Sequence, residues 1–221
     1  MKEKFGFIEK GAIQMREKFT CCGLGHILGL YANKFLDKLE SAFQLDSADL
    51  IKVYHEGAGN CVNRGRYDEA ILLCQKAIKL DQDDVEAHYQ LGIAYMGKRL
   101  DEEAINSLQK VLKLAPSRAG AHFRLGVLLE KTGSLDSAIT SYKKAIKLEP
   151  KRADFLYTLG VALDKKGEHK KAIESLNKAV ELAPAVDKYH YRLGLIYDGQ
   201  GQHDKAVEAF KKAVEAEEAG A

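Results

Sequence analysis

The sequence predicts an all-α protein, a solenoid of antiparallel helix pairs, because three ladders of small or helix-ending residues share one period. Each ladder recurs every 34 residues. A fixed period of this length is typical of repeat proteins, in which each unit buries its apolar face only by stacking on its neighbours. The ladders are Pro116, Pro150 and Pro184; Gly92, Gly126, Gly160 and Gly194; and Ala70, Ala104, Ala138, Ala172 and Ala206.

The period divides most of the chain into repeats of two helices each. The first helix carries apolar residues at helical spacing and ends near a glycine, which adopts the left-handed conformation at the lowest cost. The second helix of most repeats opens with a carboxylate near its positive end. The repeats are 51–84, 85–118, 119–152, 153–186 and 187–221. The glycines are Gly65, Gly133, Gly167 and Gly201, and Arg99 takes that place in the second repeat.

The glycine and alanine ladders mark places where paired helices must approach closely, since a larger side chain would leave no room for the partner helix. The whole pattern resembles the tetratricopeptide repeat (TPR) family. The residues that carry the resemblance in one repeat are Leu91, Gly92, Tyr95, Ala104, Leu108, Val111 and Pro116. The resemblance implies a right-handed α-α superhelix, or TPR solenoid. It also implies a non-enzymatic scaffold for protein-protein interaction that binds partners in a concave groove.

Residues 17–50 predict a degenerate TPR-like helix pair, since 35–46 resemble 70–81 at an offset of 35. Bulky Phe35 stands where the next repeat has Ala70, so this pair packs poorly on its own array. Two outcomes stay open: an ordinary sixth repeat, or an element that undocks and inserts into another copy in an open-ended, heterologous contact. The predicted self-assembly residues are Phe19, Ile27, Leu28, Phe35, Leu36 and Leu39.

The TPR resemblance also locates the binding groove. In that family the first helices line the concave surface, and the fifth and ninth residues of each repeat are carried over here by position. None of the ninth residues is the asparagine with which chaperone-binding members hold a terminal carboxylate. We therefore expect an apolar segment or amphipathic helix as the ligand, or else that some of these side chains only pack neighbouring helices. The predicted groove residues are His55, Tyr89, Ile93, Phe123, Val127, Tyr157, Val161, Tyr191 and Leu195.

Charge and motif searches predict no other chemistry. The 34 basic and 32 acidic residues leave a net charge of +2, which disfavours bulk nucleic-acid binding. We find no phosphate loop, nucleophile elbow or paired-carboxylate motif, and we predict no catalytic residue, metal site or cofactor. His88, His122 and His190 recur at the fourth place of their repeats, too far apart for one coordination shell, and are interpreted as packing residues.

Contact with a membrane is predicted to be peripheral at most. The uncharged run 21–32 is about half the length that crosses a bilayer. Residues 1–16 mix basic and apolar side chains, which fits either a flexible basic leader or a weak membrane-surface helix. Four basic dipeptides are either a solvated face or a surface for acidic headgroups. They are Lys143-Lys144, Lys165-Lys166, Lys170-Lys171 and Lys211-Lys212.

The order of parts resembles the magnetosome-associated members of the TPR family in magnetotactic bacteria. The stretch 36–71 and the run 91–95 carry this likeness. It implies a cytoplasmic homo-oligomer that coats the cytoplasmic face of a magnetosome membrane and recruits other magnetosome or membrane-associated proteins. Two alternatives stay open: a monomeric peptide-binding adaptor, and the TPR arm of an enzyme.

Overall fold

The computed structural model describes residues 46–220, which form ten α-helices and contain no strand. The predicted leader, 1–16, and most of the predicted degenerate pair, 17–45, lie outside these residues. The helices are α1 (Ser47–Asn63), α2 (Tyr67–Leu80), α3 (Val85–Gly97), α4 (Asp101–Leu114), α5 (Ala119–Lys131), α6 (Leu135–Leu148), α7 (Ala153–Lys165), α8 (His169–Leu182), α9 (Asp187–Gly199) and α10 (His203–Gly220). Odd numbers are first helices and even numbers are second helices.

The first helix begins earlier than the sequence predicts. Asp46 is its N-cap, and the carboxylate of Asp46 accepts a 2.8 Å hydrogen bond from the backbone N–H of Asp49. A side chain that satisfies an otherwise unpaired N–H starts a helix at this point. Residues 47–50 therefore belong to α1, whereas the sequence places the start of the first repeat at 51.

The turns within the repeats use the left-handed conformation that the glycine ladder predicts. Gly65, Gly133, Gly167 and Gly201 have φ angles of 71°, 85°, 83° and 70°. Arg99 takes the same place with φ 60°, although its Cβ makes that conformation unfavourable. The backbone hydrogen bond that closes this turn, from Leu100 N–H to the carbonyl of Tyr95, is 3.0 Å long, so the turn forms without glycine.

The small residues lie at the closest approaches between paired helices, as predicted. Ala104, Ala138 and Ala172 are fully buried. A Cβ on Gly126 would lie 2.6 Å from the ring of Tyr142 and 3.2 Å from the carbonyl oxygen of Ala138. The glycine of a first helix thus faces the alanine of its second helix, and the two ladders together fix the helix spacing.

The helices stack in chain order and leave the first helices on one side. The second helices α2, α4, α6 and α8 each pack between two first helices, as α2 does between α1 and α3, whereas α10 packs against α9. First helices also approach each other directly, as α7 and α9 do. The predicted right-handed all-α superhelix is confirmed. Within the described residues, no helix is long and apolar enough to cross a membrane.

Candidate binding groove

The predicted groove residues occupy one strip along the five first helices. Within each helix they are four positions apart, which places both on one face. Seven of the nine are half-buried, whereas Tyr191 is 53% exposed and Leu195 is 41% exposed. The strip is therefore most open to a partner at α9.

In the middle of the strip, aromatic rings contact one another across repeats. The ring of Phe123 stacks on that of buried Phe155, with centroids 4.4 Å apart and an interplanar angle of 17°. Tyr157 packs in a tilted arrangement on buried Tyr189, with centroids 5.1 Å apart. Phe123 and Tyr157, which are predicted groove residues, therefore also pack neighbouring repeats together. This is the packing role that the sequence left open.

Tyr89 is held by two arginines that the groove prediction did not include. The guanidinium of Arg118 lies 4.3 Å from the centroid of the Tyr89 ring, a cation–π contact. Nε of Arg124 donates a 3.1 Å hydrogen bond to the Tyr89 hydroxyl. A Cβ at Gly120 would lie 2.6 Å from that hydroxyl, so the small residue there makes room for the ring. Arg118 also donates a 2.6 Å hydrogen bond to Glu86, so the positive charge that these arginines add to the lining near α3 and α5 comes from Arg124.

Carboxylates occupy the twelfth place of the last three repeats. Glu130 accepts hydrogen bonds from Lys165, at 2.7 Å, and from the hydroxyl of Tyr142. Asp164 accepts a 2.7 Å bond from Nη2 of Arg192, whose buried Nε has no hydrogen-bond partner among residues 46–220. Asp198, in the last turn of α9, has a side chain that is 58% exposed, and its carboxylate pairs only with His203 among the described residues. The acidic rim is therefore least neutralised at the end where the apolar strip is most open.

His55 is tied to a neighbour and is not a free anchor. Its Nε2 lies 2.6 Å from a carboxylate oxygen of Asp84, which is 7% exposed. The other oxygen of Asp84 accepts a 3.0 Å bond from the N–H of Ala87 and caps α3. Gly59 and the side chain of Gln90 lie next to each other one turn along, so this end of the groove is polar.

The recurring histidines fasten the loops between repeats. Nε2 of His88, His122 and His190 lies 3.0, 2.9 and 2.9 Å from the carbonyl oxygens of Gln82, Pro116 and Pro184. A carbonyl can only accept, so each ring donates through Nε2. The prediction assigned these rings to packing and missed the hydrogen bond. Each histidine lies six residues after the residue at the proline position of the repeat, and this constant spacing was the signal that could have predicted the hydrogen bond.

The described residues contain little other reactive chemistry. Within 46–220, no group of three or more His, Cys, Asp or Glu side chains is arranged to hold a metal ion. The side chains of Cys61 and Cys74 are buried. Burial raises the pKa of Cys74 to about 12, which keeps the thiol protonated and unreactive at neutral pH.

Family models match most of the repeat region. The model described as TPR repeat matches residues 61–98 and 131–167, and two models described as tetratricopeptide repeat match 85–118 and 157–221. With the stacked helix pairs and the lined groove, these matches define the class of protein. The chain belongs to the TPR family and has the fold of a protein-interaction scaffold.

Among solved structures, the chain is similar to several of MamA. One is 36% identical, with a TM-score of 0.69, and the alignment covers 74% of this chain and 95% of that one. MamA from Desulfovibrio magneticus RS-1, residues 41 to the end, is 32% identical with a TM-score of 0.71, covering 77% and 97%.

The fold also occurs in a more distant protein. YrrB, a TPR protein with an unusual peptide-binding site, is 22% identical with a TM-score of 0.66, covering 82% of this chain and 91% of that one, which shows the fold alone. No curated protein matches the sequence.

Proposed function

We propose that this protein is a MamA-like scaffold that self-assembles, recruits partners through its groove and coats the cytoplasmic face of a magnetosome membrane. The observation that carries the proposal is the exposed apolar strip at Tyr191 and Leu195, continuous with the half-buried residues of α7. Large apolar side chains rimmed by polar ones are typical of interaction surfaces. The likeness to MamA over nearly the full length of those chains supports the magnetosome role.

The groove favours a ligand that combines an apolar face with basic residues. Its open end presents Tyr191 and Leu195 beside Asp198, whose carboxylate is largely exposed. Apolar side chains would bury on the strip, and lysines would reach the acidic rim. A short amphipathic helix has this arrangement.

The chain itself contains a segment in which apolar and basic residues alternate in this way. The predicted docking residues Phe35, Leu36 and Leu39 are interleaved with Lys34 and Lys38, and also with Asp37, in the sequence. A second copy is therefore our first candidate for the occupant of the groove. Insertion of one molecule's N-terminal segment into the next molecule's groove is open-ended and produces large assemblies.

Light scattering of the full chain tests the assembly. We expect masses well above the 24.5 kDa of one chain, and a shift towards that value when Leu195→Ser and Tyr191→Ala are combined. The control is Val207→Ser on α10, since Val207 is 67% exposed but lies on a second helix, outside the strip. The variant pair Leu36→Asp and Leu39→Asp should have the same effect as the groove pair.

Two results would oppose the proposal. A full chain that stays monomeric at high concentration would favour the peptide-binding adaptor. Assemblies that persist in the groove variants but dissolve with Val207→Ser would place the contact on α10 instead.

A further inference from the structure

The exposed stripe of the second helices differs sharply between the two halves of the array. We define it by four places on each second helix, which lie on one face because they are spaced as i, i+3, i+4 and i+7. On α2, α4 and α6 these places hold seven lysines and no carboxylate. The residues are Leu72, Gln75, Lys76, Lys79; Asn106, Gln109, Lys110, Lys113; and Thr140, Lys143, Lys144, Lys147. We call this set the basic ridge.

The same places on α8 and α10 hold three lysines and four glutamates. They hold Glu174, Asn177, Lys178 and Glu181, then Glu208, Lys211, Lys212 and Glu215. On α10 the lysines are neutralised locally, Lys212 by Glu208 at 2.7 Å and Lys211 by Glu215 at 3.8 Å. The third place holds a lysine in all five second helices, so the two halves differ at the other places, where α8 and α10 carry the glutamates and α2, α4 and α6 carry none.

Most ridge lysines have no carboxylate partner. Lys110 pairs with Asp83 at 2.6 Å, and Lys76 lies over the ring of Tyr54. The other five are exposed and form no ion pair with any residue from 46 to 220. They are Lys79, Lys113, Lys143, Lys144 and Lys147.

Adjacent lysines are a poor guide to this surface. Of the four Lys-Lys pairs in the sequence, only Lys143-Lys144 lies on the ridge. Lys165 pairs with Glu130, and Lys166 pairs with Asp136 at 2.6 Å. The ridge instead arises from lysines that are one period apart, which the superhelix places on successive helices.

Exposed leucines accompany the lysines and indicate the kind of partner. Leu72 lies on the ridge, and Leu80 and Leu148 directly follow Lys79 and Lys147 at the helix ends. Leu80 is 44% exposed and Leu148 is 40% exposed. Basic side chains attract anionic headgroups, and neighbouring apolar side chains enter the boundary between headgroups and acyl chains. A nucleic acid would use the charge but leave the leucines in water.

The ridge also points away from the groove. Each second helix packs against first helices on one side, so its exposed stripe faces the opposite direction. A molecule resting on its ridge would keep the strip at Tyr191 and Leu195 free for partners.

We propose that the basic ridge is a docking surface for an anionic lipid bilayer. This inference rests on the proposed role at a membrane and identifies the face that meets it. Binding is electrostatic at long range, so it weakens as salt is added.

The test is flotation or sedimentation of the full chain with vesicles of phosphatidylcholine mixed with phosphatidylserine, against vesicles of phosphatidylcholine alone. Each lysine near such a surface contributes about fivefold in affinity, so the triple variant Lys79→Gln, Lys113→Gln, Lys147→Gln should bind about 100-fold more weakly. The matched control is Lys178→Gln, Lys211→Gln, Lys212→Gln, which removes the same charge from the stripe of α8 and α10. We expect it to stay within about threefold of the unchanged protein.

A gain-of-function variant complements these losses. Glu181→Lys extends the lysine row of Lys79, Lys113 and Lys147 by one repeat and should strengthen binding to the anionic vesicles several-fold. Equal weakening by the two triple variants, or no binding of the full chain to anionic vesicles, would overturn the proposal. The proposal would also be overturned if the full chain bound a single-stranded oligonucleotide but no vesicles, and if the ridge variant lost that binding. The ridge would then bind a nucleic acid.

The failure of this inference is distinguishable from failure of the proposed assembly. Light scattering without lipid reports self-association through the groove, and the ridge variant should assemble like the unchanged protein. If the protein is monomeric but binds vesicles through the ridge, this inference stands and the proposed assembly is wrong. If the protein assembles but does not bind vesicles, the assembly stands and this inference is wrong.

Discussion

The hydroxyl of Tyr142 donates a 2.8 Å hydrogen bond to Glu130 and so links the second helix of the third repeat to the end of its first helix. The other carboxylate oxygen of Glu130 accepts a 2.7 Å bond from Lys165 in the fourth repeat. The Tyr142 side chain is fully buried beneath Gly126. One acid at the groove rim therefore connects the core of one repeat with the next.

Removing that hydroxyl tests its contribution to stability. We expect Tyr142→Phe to lower the free energy of unfolding by about 1 kcal/mol, because one hydrogen bond to a charged group is lost and the ring still fills its place. Urea unfolding measures the change. The control is Tyr191→Phe, whose exposed ring forms no hydrogen bond among the described residues. Equal stability of both variants would show that Glu130 is satisfied by Lys165 alone.

The same tyrosine predicts a loss of stability in alkaline solution. Burial and, next, the bond to Glu130 hold the pKa of Tyr142 far above its usual value. The unfolded chain releases this proton above about pH 10, so the stabilising effect is complete below that pH and declines as pH rises, by about 1.4 kcal/mol per unit. The advantage of the unchanged protein over Tyr142→Phe should therefore shrink between about pH 9 and about pH 11. An advantage that grows over this range contradicts the assignment.

Gly126→Ala tests the closest approach between α5 and α6. The added Cβ would lie 2.6 Å from the Tyr142 ring, so the helices must separate, at a cost of about 1–3 kcal/mol. Gly199→Ala is the control, since a Cβ there meets no atom within 4 Å. It should stabilise the protein by up to about 1 kcal/mol through helix propensity. Thermal unfolding of both variants measures the contrast, and similar shifts would mean that the ladder does not set the helix spacing.

Arg99 offers a stabilising substitution. Its φ of 60° suits glycine, and Arg99→Gly should raise the free energy of unfolding by about 1 kcal/mol by relieving the strained backbone. Gly133→Ala is the reverse test, because φ there is 85° and no atom lies within 4 Å of an added Cβ. A destabilised Arg99→Gly variant would reveal a contact of the arginine that outweighs its backbone strain.

The fold was predictable because its determinants repeat. Gly126 and Ala138 each lie in a ladder with one period, and a packing constraint that recurs in every repeat is visible without coordinates. The start of α1 was not predictable in this way, since it depends on the capping side chain of Asp46, which has no equivalent in the ladders.

The sequence places the fifth and ninth residues of the repeats on the first helices, but it does not reveal the polar contacts beside them. His55 pairs with Asp84, which caps the first helix of the next repeat, and Arg192 pairs with Asp164 of the preceding repeat. Such contacts depend on the rotation of one repeat relative to the next, which a period alone does not give. The binding role of the strip stays a prediction.

The histidine hydrogen bonds provide a last test, on the loops that join repeats. His122→Ala removes the 2.9 Å bond to the carbonyl of Pro116 and should cost about 1 kcal/mol. Because His88 and His190 make equivalent bonds in separate repeats, the triple alanine variant should lose about three times as much, measured by urea unfolding. His203→Ala is the control, since that ring is exposed and its ion pair with Asp198 contributes little. A triple variant no less stable than this control would mean that the loops are held by helix packing alone.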